Sequence, residues 1–277
     1  MYECLAKKPG MIILDDPISS FDKNKKFAIL EMLFRRNTGE CLKNETVLML
    51  THDVEPIIDT LKSVRKLFSN LVTASHLRYS AGCITEQLIG ESDIRTFAQI
   101  CQSVTDSDSE DIIKLIYLRR HYEIMDDLGD AYQVLSNLFH HRERPIDTRE
   151  PLVQGVGHPE MSAEKVASGC QAIGERIPGF DYQATFAQLT DPDHIRALYL
   201  LCRNGYEKLQ VFRLLQTGLE NAVIRKFMNE TYHIENEFIC QLDPARFDLI
   251  PEYVIRECDA LILPPPPAND DALEEIA

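Results

Sequence analysis

"MIILDDPISSFDK", residues 11–23, decides how this chain is read. Four apolar residues run without a polar interruption into two adjacent acids, a proline and two serines. The run is too short for a helix between the Pro9-Gly10 break and the turn-forming Asp16-Pro17, so it reads as a strand. Its unalternating apolarity is what a central parallel strand, covered on both faces, requires. Such a strand has no use for paired carboxylates at its end unless something positively charged sits there.

Upstream, Tyr2, Leu5 and Ala6 are helically spaced, so residues 1–9 read as the end of a helix. Downstream, "FDKNKKFAILEMLFRR" has helical spacing at Phe27, Leu30, Leu33 and Phe34. "ETVLMLTHD" repeats the strand pattern at Val47 to Leu50, and "VEPIIDTLKSVRKLF" returns to helix. Strand, helix, strand and helix in that order imply a partial parallel α/β sheet with right-handed crossovers. "VTASHLRYS" and "CITEQLI", joined across Ala81-Gly82, predict a hairpin at the margin of that sheet.

Beyond residue 92 the pattern changes to helical spacing, as in "SEDIIKLIYLRRHYEIMDDL" and "DHIRALYLLCRNGYEKLQVFRLLQ", and no strand is expected. The organisation predicted is an α/β lobe over 1–92, a mostly α-helical domain over 93–262, and a disordered tail over 263–277. The tail is proline-rich and then acidic.

Composition narrows the function. The 277 residues, 44% hydrophobic, suffice for a core. No apolar run reaches the length of a membrane span, and "MYECLAKKPG" lacks the apolar stretch of a signal peptide, so a cytoplasmic protein with no membrane partner is expected. The eight cysteines form no CxxC pair and read as reduced, mostly buried thiols. A formal charge of -15 excludes broad binding to phosphate backbones, which depends on Lys and Arg displacing counterions; any nucleic-acid contact must be local.

In open parallel sheets ligands bind beyond the carboxyl ends of the strands, so Asp15, Asp16 and His52 are expected to face one crevice. One acid can hold Mg²⁺, the second can orient or deprotonate a water attacking a γ-phosphate, and the histidine can hydrogen-bond that phosphate. "MIILDDPISSFD" followed by "VLMLTHD" resembles the Walker B strand, D-loop and switch-histidine strand of ABC-type ATPases, most closely the soluble branch with the RecF-like ATPases and the RloC and PrrC anticodon nucleases. The resemblance covers about residues 1–90. It implies Asp15 as the magnesium acid, Asp16 as the catalytic carboxylate, Ser19, Ser20 and Asp22 in the D-loop, His52 as the switch residue, and ATP with Mg²⁺ as cofactors.

The sequence has no G-x-x-x-x-G-K-[ST] phosphate loop and no LSxGE-like signature. In the family both lie upstream of the "DDP" turn. The chain therefore resembles the C-terminal part of a longer ATPase, from an internal methionine or a split gene. Hydrolysis is expected to need an N-terminal Walker A-bearing segment or chain and, as the family implies, head-to-tail homodimerisation.

The helical half offers two Arg/Glu/His sets suited to RNA cleavage, in which His moves a proton, Glu orients or accepts one, and Arg stabilises phosphorane charge. Arg119, Glu123, Asn137 and His141 resemble the Arg-x-x-x-Glu and Asn-x-x-x-His pairs of the HEPN class of RNases, though the interval between the pairs is shorter than the family's. Arg203, Glu207 and His233 form the competing set. The plain alternative is that each Arg/Glu pair is an i,i+4 surface ion pair and His233 a structural histidine. The readings carried forward are an ABC-type ATPase portion with a helical effector or dimerisation domain, in a defence system with RNA (tRNA) or DNA as target; a degenerate, non-catalytic interaction protein; and an RNase active without nucleotide.

Overall fold

The computed structural model describes residues 7–18, 23–34, 41–64, 71–80, 82–152, 154–155, 157–215, 221–227, 240–244, 246–247 and 250–263. The chain divides into two compact units, Met1–Thr96 with Phe238–Phe247, and Phe97–Glu237 with Asp248–Ala277. The first is mixed α/β and the second helical. The boundary lies four residues beyond the expected one, and the first unit takes back a segment from near the C-terminus. The helix end expected over 1–9 and the tail over 263–277 lie largely outside the described residues.

In the first unit β1 (Ile12–Asp15) pairs parallel with β2 (Val47–Leu50), in register from Ile12↔Val47 to Asp15↔Leu50. Helix α1 (Lys23–Phe34) lies between them in sequence. This is the strand-helix-strand unit that the apolar runs predict. Ile12 and partly buried Leu14, Val47 and Met49 turn to one side and pack with Leu30, Leu33 and Phe34 of α1. Two backbone bonds extend the ladder at its ends, Ile12 N to Thr46 O at 2.9 Å and Asp16 N to Leu50 O at 2.8 Å.

The other side differs from expectation. Ile13 is 61% exposed, Leu48 42% and Leu50 41%, so the ladder is covered on one face and not on both. The apolar runs record the chemistry of both faces; they carry no information on what supplies the second layer.

After β2 the chain forms a short helix α2 (Glu55–Ile58) that widens into a π-helical turn over Asp59–Val64. The expected hairpin is present as β3 (Ala74–Ser80) and β4 (Cys83–Ile89), closing from Ala74↔Ile89 to Ser80↔Cys83. Gly82 has φ +82°, the left-handed conformation that tight turns between strands demand. The hairpin is its own ladder and does not join the parallel one among the described residues. One side meets a small core of Leu61, Ile89, Ile94, Leu242 and Phe247. Leu77, Tyr79, Ile84 and Leu88, which share the opposite side by register, are exposed.

A third ladder corrects the expectation that no strand follows residue 92. β5 (Ile94–Thr96) pairs antiparallel with β6 (Cys240–Leu242). Ion pairs from Arg246 to Asp93 and from Arg95 to Asp243, the latter at 3.6 Å, flank it. Three-residue strands carry no readable period, and their pairing is fixed only by tertiary contact.

The second unit contains α3 (Phe97–Thr105), α4 (Asp111–Ile124), α5 (Asp130–Phe139), α6 (Ala163–Arg176), α7 (Tyr182–Thr190), α8 (Pro192–Leu201), α9 (Gly205–Leu214), α10 (Ala222–Lys226) and α11 (Glu252–Ile262). Helix α4 is central, with Ile112, Ile113, Leu115, Ile116, Tyr117, Leu118 and Ile124 all buried. Several helices start where short polar side chains satisfy otherwise unpaired amides: Asp181 accepts from Ala184 N, Asp191 from Asp193 N and Asn204 from Glu207 N. Helix α4 starts after Glu110, whose side chain makes no capping hydrogen bond.

Helices α5 and α6 pack closely at Gly169. A Cβ there would lie 2.6 Å from Val134 Cγ2 and 2.7 Å from the Asp130 carbonyl oxygen, which is backbone and cannot swing away. Gly174, on the same helix, has nothing within 4 Å of that position. Gly169→Ala is expected to destabilise the helical unit by about 1–3 kcal/mol through overpacking. Gly174→Ala should be neutral or stabilising by up to about 1 kcal/mol through helix propensity; urea unfolding of the two variants checks the contrast.

Candidate functional site

The parallel register carries the C-terminal ends of β1 and β2 to the same edge of the ladder. Asp15 is the last residue of β1 and is exposed there. Asp16 follows with φ +47°, a left-handed conformation that turns the chain out of the strand within one residue. Aspartate tolerates that region better than most residues, and non-glycine backbone of this kind concentrates at functional sites. The turn is held from both sides: Asp16 N bonds to Leu50 O, and Ile18, fully buried, inserts into the core under α1.

From β2, Thr51 Oγ1 accepts from Asp53 N at 3.1 Å and shapes the exit of the strand. His52 projects there, its side chain 70% exposed, with Nδ1 2.9 Å from Asp16 Oδ2. Its other ring nitrogen, Nε2, lies 3.9 Å from Asp53 Oδ1. Asp53 is held from α1 by Lys26, whose Nζ donates to Asp53 Oδ2 at 2.6 Å and to Glu55 Oε2 at 3.4 Å. The bond to Asp53 keeps the Lys26 ammonium pKa above its ordinary 10.5, although burial opposes it.

The structure brings Asp16 and His52 together, at the edge where Asp15 ends β1. It adds Asp53, Lys26 and Glu55, which the sequence reading missed. "THD" places Asp53 directly after the histidine, a signal that was available; no local pattern links Lys26 to it across 27 positions. Ser19, Ser20 and Asp22, assigned to the D-loop, lie outside the described residues.

Among the described residues no group of three or more His, Cys, Asp or Glu is arranged to hold a metal ion. Asp15, exposed at the strand end, is a single carboxylate donor there.

The helical sets are arranged differently. Arg119 lies over the Tyr132 ring, 5.7 Å from its centroid, and Glu123 pairs at 2.8 Å with Arg120, not with Arg119. Asn137 is fully buried and occupied: its amide donates to Gln133 O and Ile146 O, both at 2.7 Å, while Oδ1 accepts from Arg142 and from Ile146 N. His141 has φ +53° just past α5, and its Nε2 is buried without a hydrogen-bond partner. Burial, and then the neighbouring His140, push its pKa below the ordinary 6.5. No hydrogen bond or ion pair among the described residues joins Arg119, Glu123 and His141.

Of the competing set, Arg203 and Glu207 are described. The Glu207 carboxylate caps α9 by accepting from the Arg203 backbone N at 2.7 Å, while the Arg203 guanidinium reaches Asp108 at 3.3 Å. Burial raises the Glu207 pKa above 4.5. His233 lies outside the described residues.

The residues around His141 form a pinned loop instead. Asp147, its side chain 1% exposed, bonds Arg149 at 2.7 Å and Lys165 at 2.8 Å, and Gln133 Oε1 accepts from Thr148 N and Oγ1. Hydrogen bonding from Arg149, working against burial and joined by Lys165, holds the Asp147 carboxyl far below its ordinary 3.8.

No family model, no curated protein and no solved structure matches this chain.

Asn137→Ala is expected to cost about 2 kcal/mol or more of unfolding free energy, because it leaves the Ile146 amide and carbonyl without their Asn137 partner; chemical denaturation measures it. A carboxyl with a lowered folded-state pKa adds stability above its unfolded value and loses it as pH falls. The helical unit should therefore weaken as pH drops below 3.8, and Asp147→Asn should flatten that slope in unfolding curves taken at neutral and acidic pH.

Proposed function

We propose that residues 1–92 are the C-terminal lobe of an ABC-type nucleotide site. In this reading Asp15 is the magnesium acid, Asp16 the carboxylate that orients or deprotonates the attacking water, and His52 the residue that reports on and contacts the γ-phosphate. The observation carrying this reading is the 2.9 Å approach of His52 Nδ1 to Asp16 Oδ2 across two adjacent parallel strands. That edge of a parallel ladder is where ligands bind in open α/β sheets. The left-handed backbone at Asp16 adds to it, since that conformation is maintained by Ile18 and Leu50 and not by local preference.

Two features support a site completed from elsewhere. The sequence contains no glycine-rich phosphate loop, whose amides and lysine would hold the triphosphate. Ile13, Leu48 and Leu50 also leave an apolar side of the ladder open, where a parallel sheet ordinarily carries a second layer. A segment bearing Walker A and signature elements would supply both, and the completed ATPase would act as a head-to-tail dimer. A defence role with RNA as target is the biological setting the sequence resemblance suggests.

The same open apolar surfaces, with Leu77, Tyr79, Ile84 and Leu88 on the hairpin, favour a second reading: an interaction protein without catalysis. The RNase reading gains no support from Arg119, Glu123 and His141, which no hydrogen bond or ion pair joins among the described residues.

Co-expression with a Walker A-bearing segment encoded upstream, followed by phosphate release, separates the first two readings. Magnesium-dependent release that falls about 100-fold or more in Asp16→Asn supports the nucleotide site. A complex that forms but releases phosphate at background rate, unchanged by Asp16→Asn, supports the interaction protein.

A further inference from the structure

We infer that Lys26 is a positioning residue of the candidate site: by occupying Asp53 it prevents that carboxylate from capturing His52, and so keeps the imidazole turned toward Asp16. This deepens the nucleotide-site reading and rests on it for its functional meaning, although its test needs no nucleotide.

His52 stands between two carboxylates. Asp16 Oδ2 lies 2.9 Å from Nδ1 and Asp53 Oδ1 3.9 Å from Nε2. The ring is largely exposed, so packing does little to fix it, and its orientation is set by which carboxylate attracts it more strongly. Among the described residues, the charged groups in the ion pairs of His52 and its partners include Asp16 after β1, Asp53 and Glu55 after β2, and Lys26 from α1. Lys26 is the cation among them. Its side chain is only 13% exposed, and it pairs with Asp53, the carboxylate nearer Nε2, and with Glu55. A 2.6 Å ammonium-carboxylate bond removes much of the attraction that Asp53 would exert on a proton at Nε2.

A carboxylate oxygen 2.9 Å from Nδ1 requires a proton on that nitrogen, since two lone pairs would otherwise face each other. In the neutral ring Nε2 is then left bare on the exposed side, and a hydrogen bond from it to a phosphate oxygen requires a second proton on the ring. The arrangement that Lys26 maintains is thus a tautomer as well as an orientation, and ring tautomers are set by the partner that the other nitrogen meets. Without Lys26, Asp53 would draw a proton to Nε2 and turn the ring away from Asp16.

The test is nitrogen NMR of the full chain carrying 15N-labelled histidine, with His52 assigned by its loss in His52→Gln and read where the ring is neutral. The wild type should show the Nδ1–H tautomer, and Lys26→Arg should keep it. Lys26→Met should shift His52 to mainly Nε2–H. The double variant Lys26→Met/Asp53→Asn should restore Nδ1–H, which a merely structural lysine would not allow. A wild type mainly in the Nε2–H form overturns the inference before any variant is made. So does a folded Lys26→Met protein with an unchanged tautomer, or a folded double variant that fails to restore it. Should Lys26→Met not fold, Lys26→Gln gives the same two outcomes. Failure of the completed complex to release phosphate would count against the nucleotide reading and leave the tautomer result standing.

Discussion

The parallel pairing of β1 with β2 is the constraint from which the candidate site follows. Its last rung, Asp16 N to Leu50 O, fixes the point where the first strand ends relative to the second. One residue of slip would turn every side chain to the opposite face and separate Asp16 from His52. The register is fixed because Ile12, Leu14, Val47 and Met49 are buried against α1 only in this alignment. Hydrophobic burial on one face of the ladder thereby determines polar geometry at its end.

That geometry is held with local strain and compensating order. Asp16 adopts a backbone conformation that side chains seldom take, Ile18 fills the core immediately afterwards, and Thr51 and Lys26 organise the exit of the second strand. The helical unit spends its polar groups otherwise. Asn137, Gln133 and Asp147 are saturated by backbone and side-chain partners, and their effect is to fasten a long irregular segment to α5 and α6. Buried polar groups satisfied in this way specify a structure, whereas exposed ones such as His52 remain available to a ligand.

Residue types alone could not separate these two situations. Arg119, Glu123, Asn137 and His141 have the chemistry of a nuclease site and helical spacings that place pairs on common faces. In the fold, Glu123 takes Arg120, Arg119 lies against Tyr132, and Asn137 is consumed by the loop that begins with His141. The same limit applied to the strands. "MIIL" and "VLML" were legible as strands, but not the openness of one side, because apolar side chains look alike whether they meet a helix of the same chain, another segment or solvent.

By itself the sequence determined the strand-helix-strand order at the start, the hairpin around Gly82, the helical character of the second unit, and the placing of Asp16 and His52 at one edge of the ladder. All of these follow from short-range period and from the rule that parallel strands present their ends to a common edge. Tertiary structure alone decided that Ile94–Thr96 pairs with Cys240–Leu242, that Lys26 reaches Asp53, and that Asn137 serves the loop and not a reaction. Each of these joins groups distant in sequence or chooses among several chemically equivalent partners. Such choices are made by the packing of the whole unit, which no local pattern encodes.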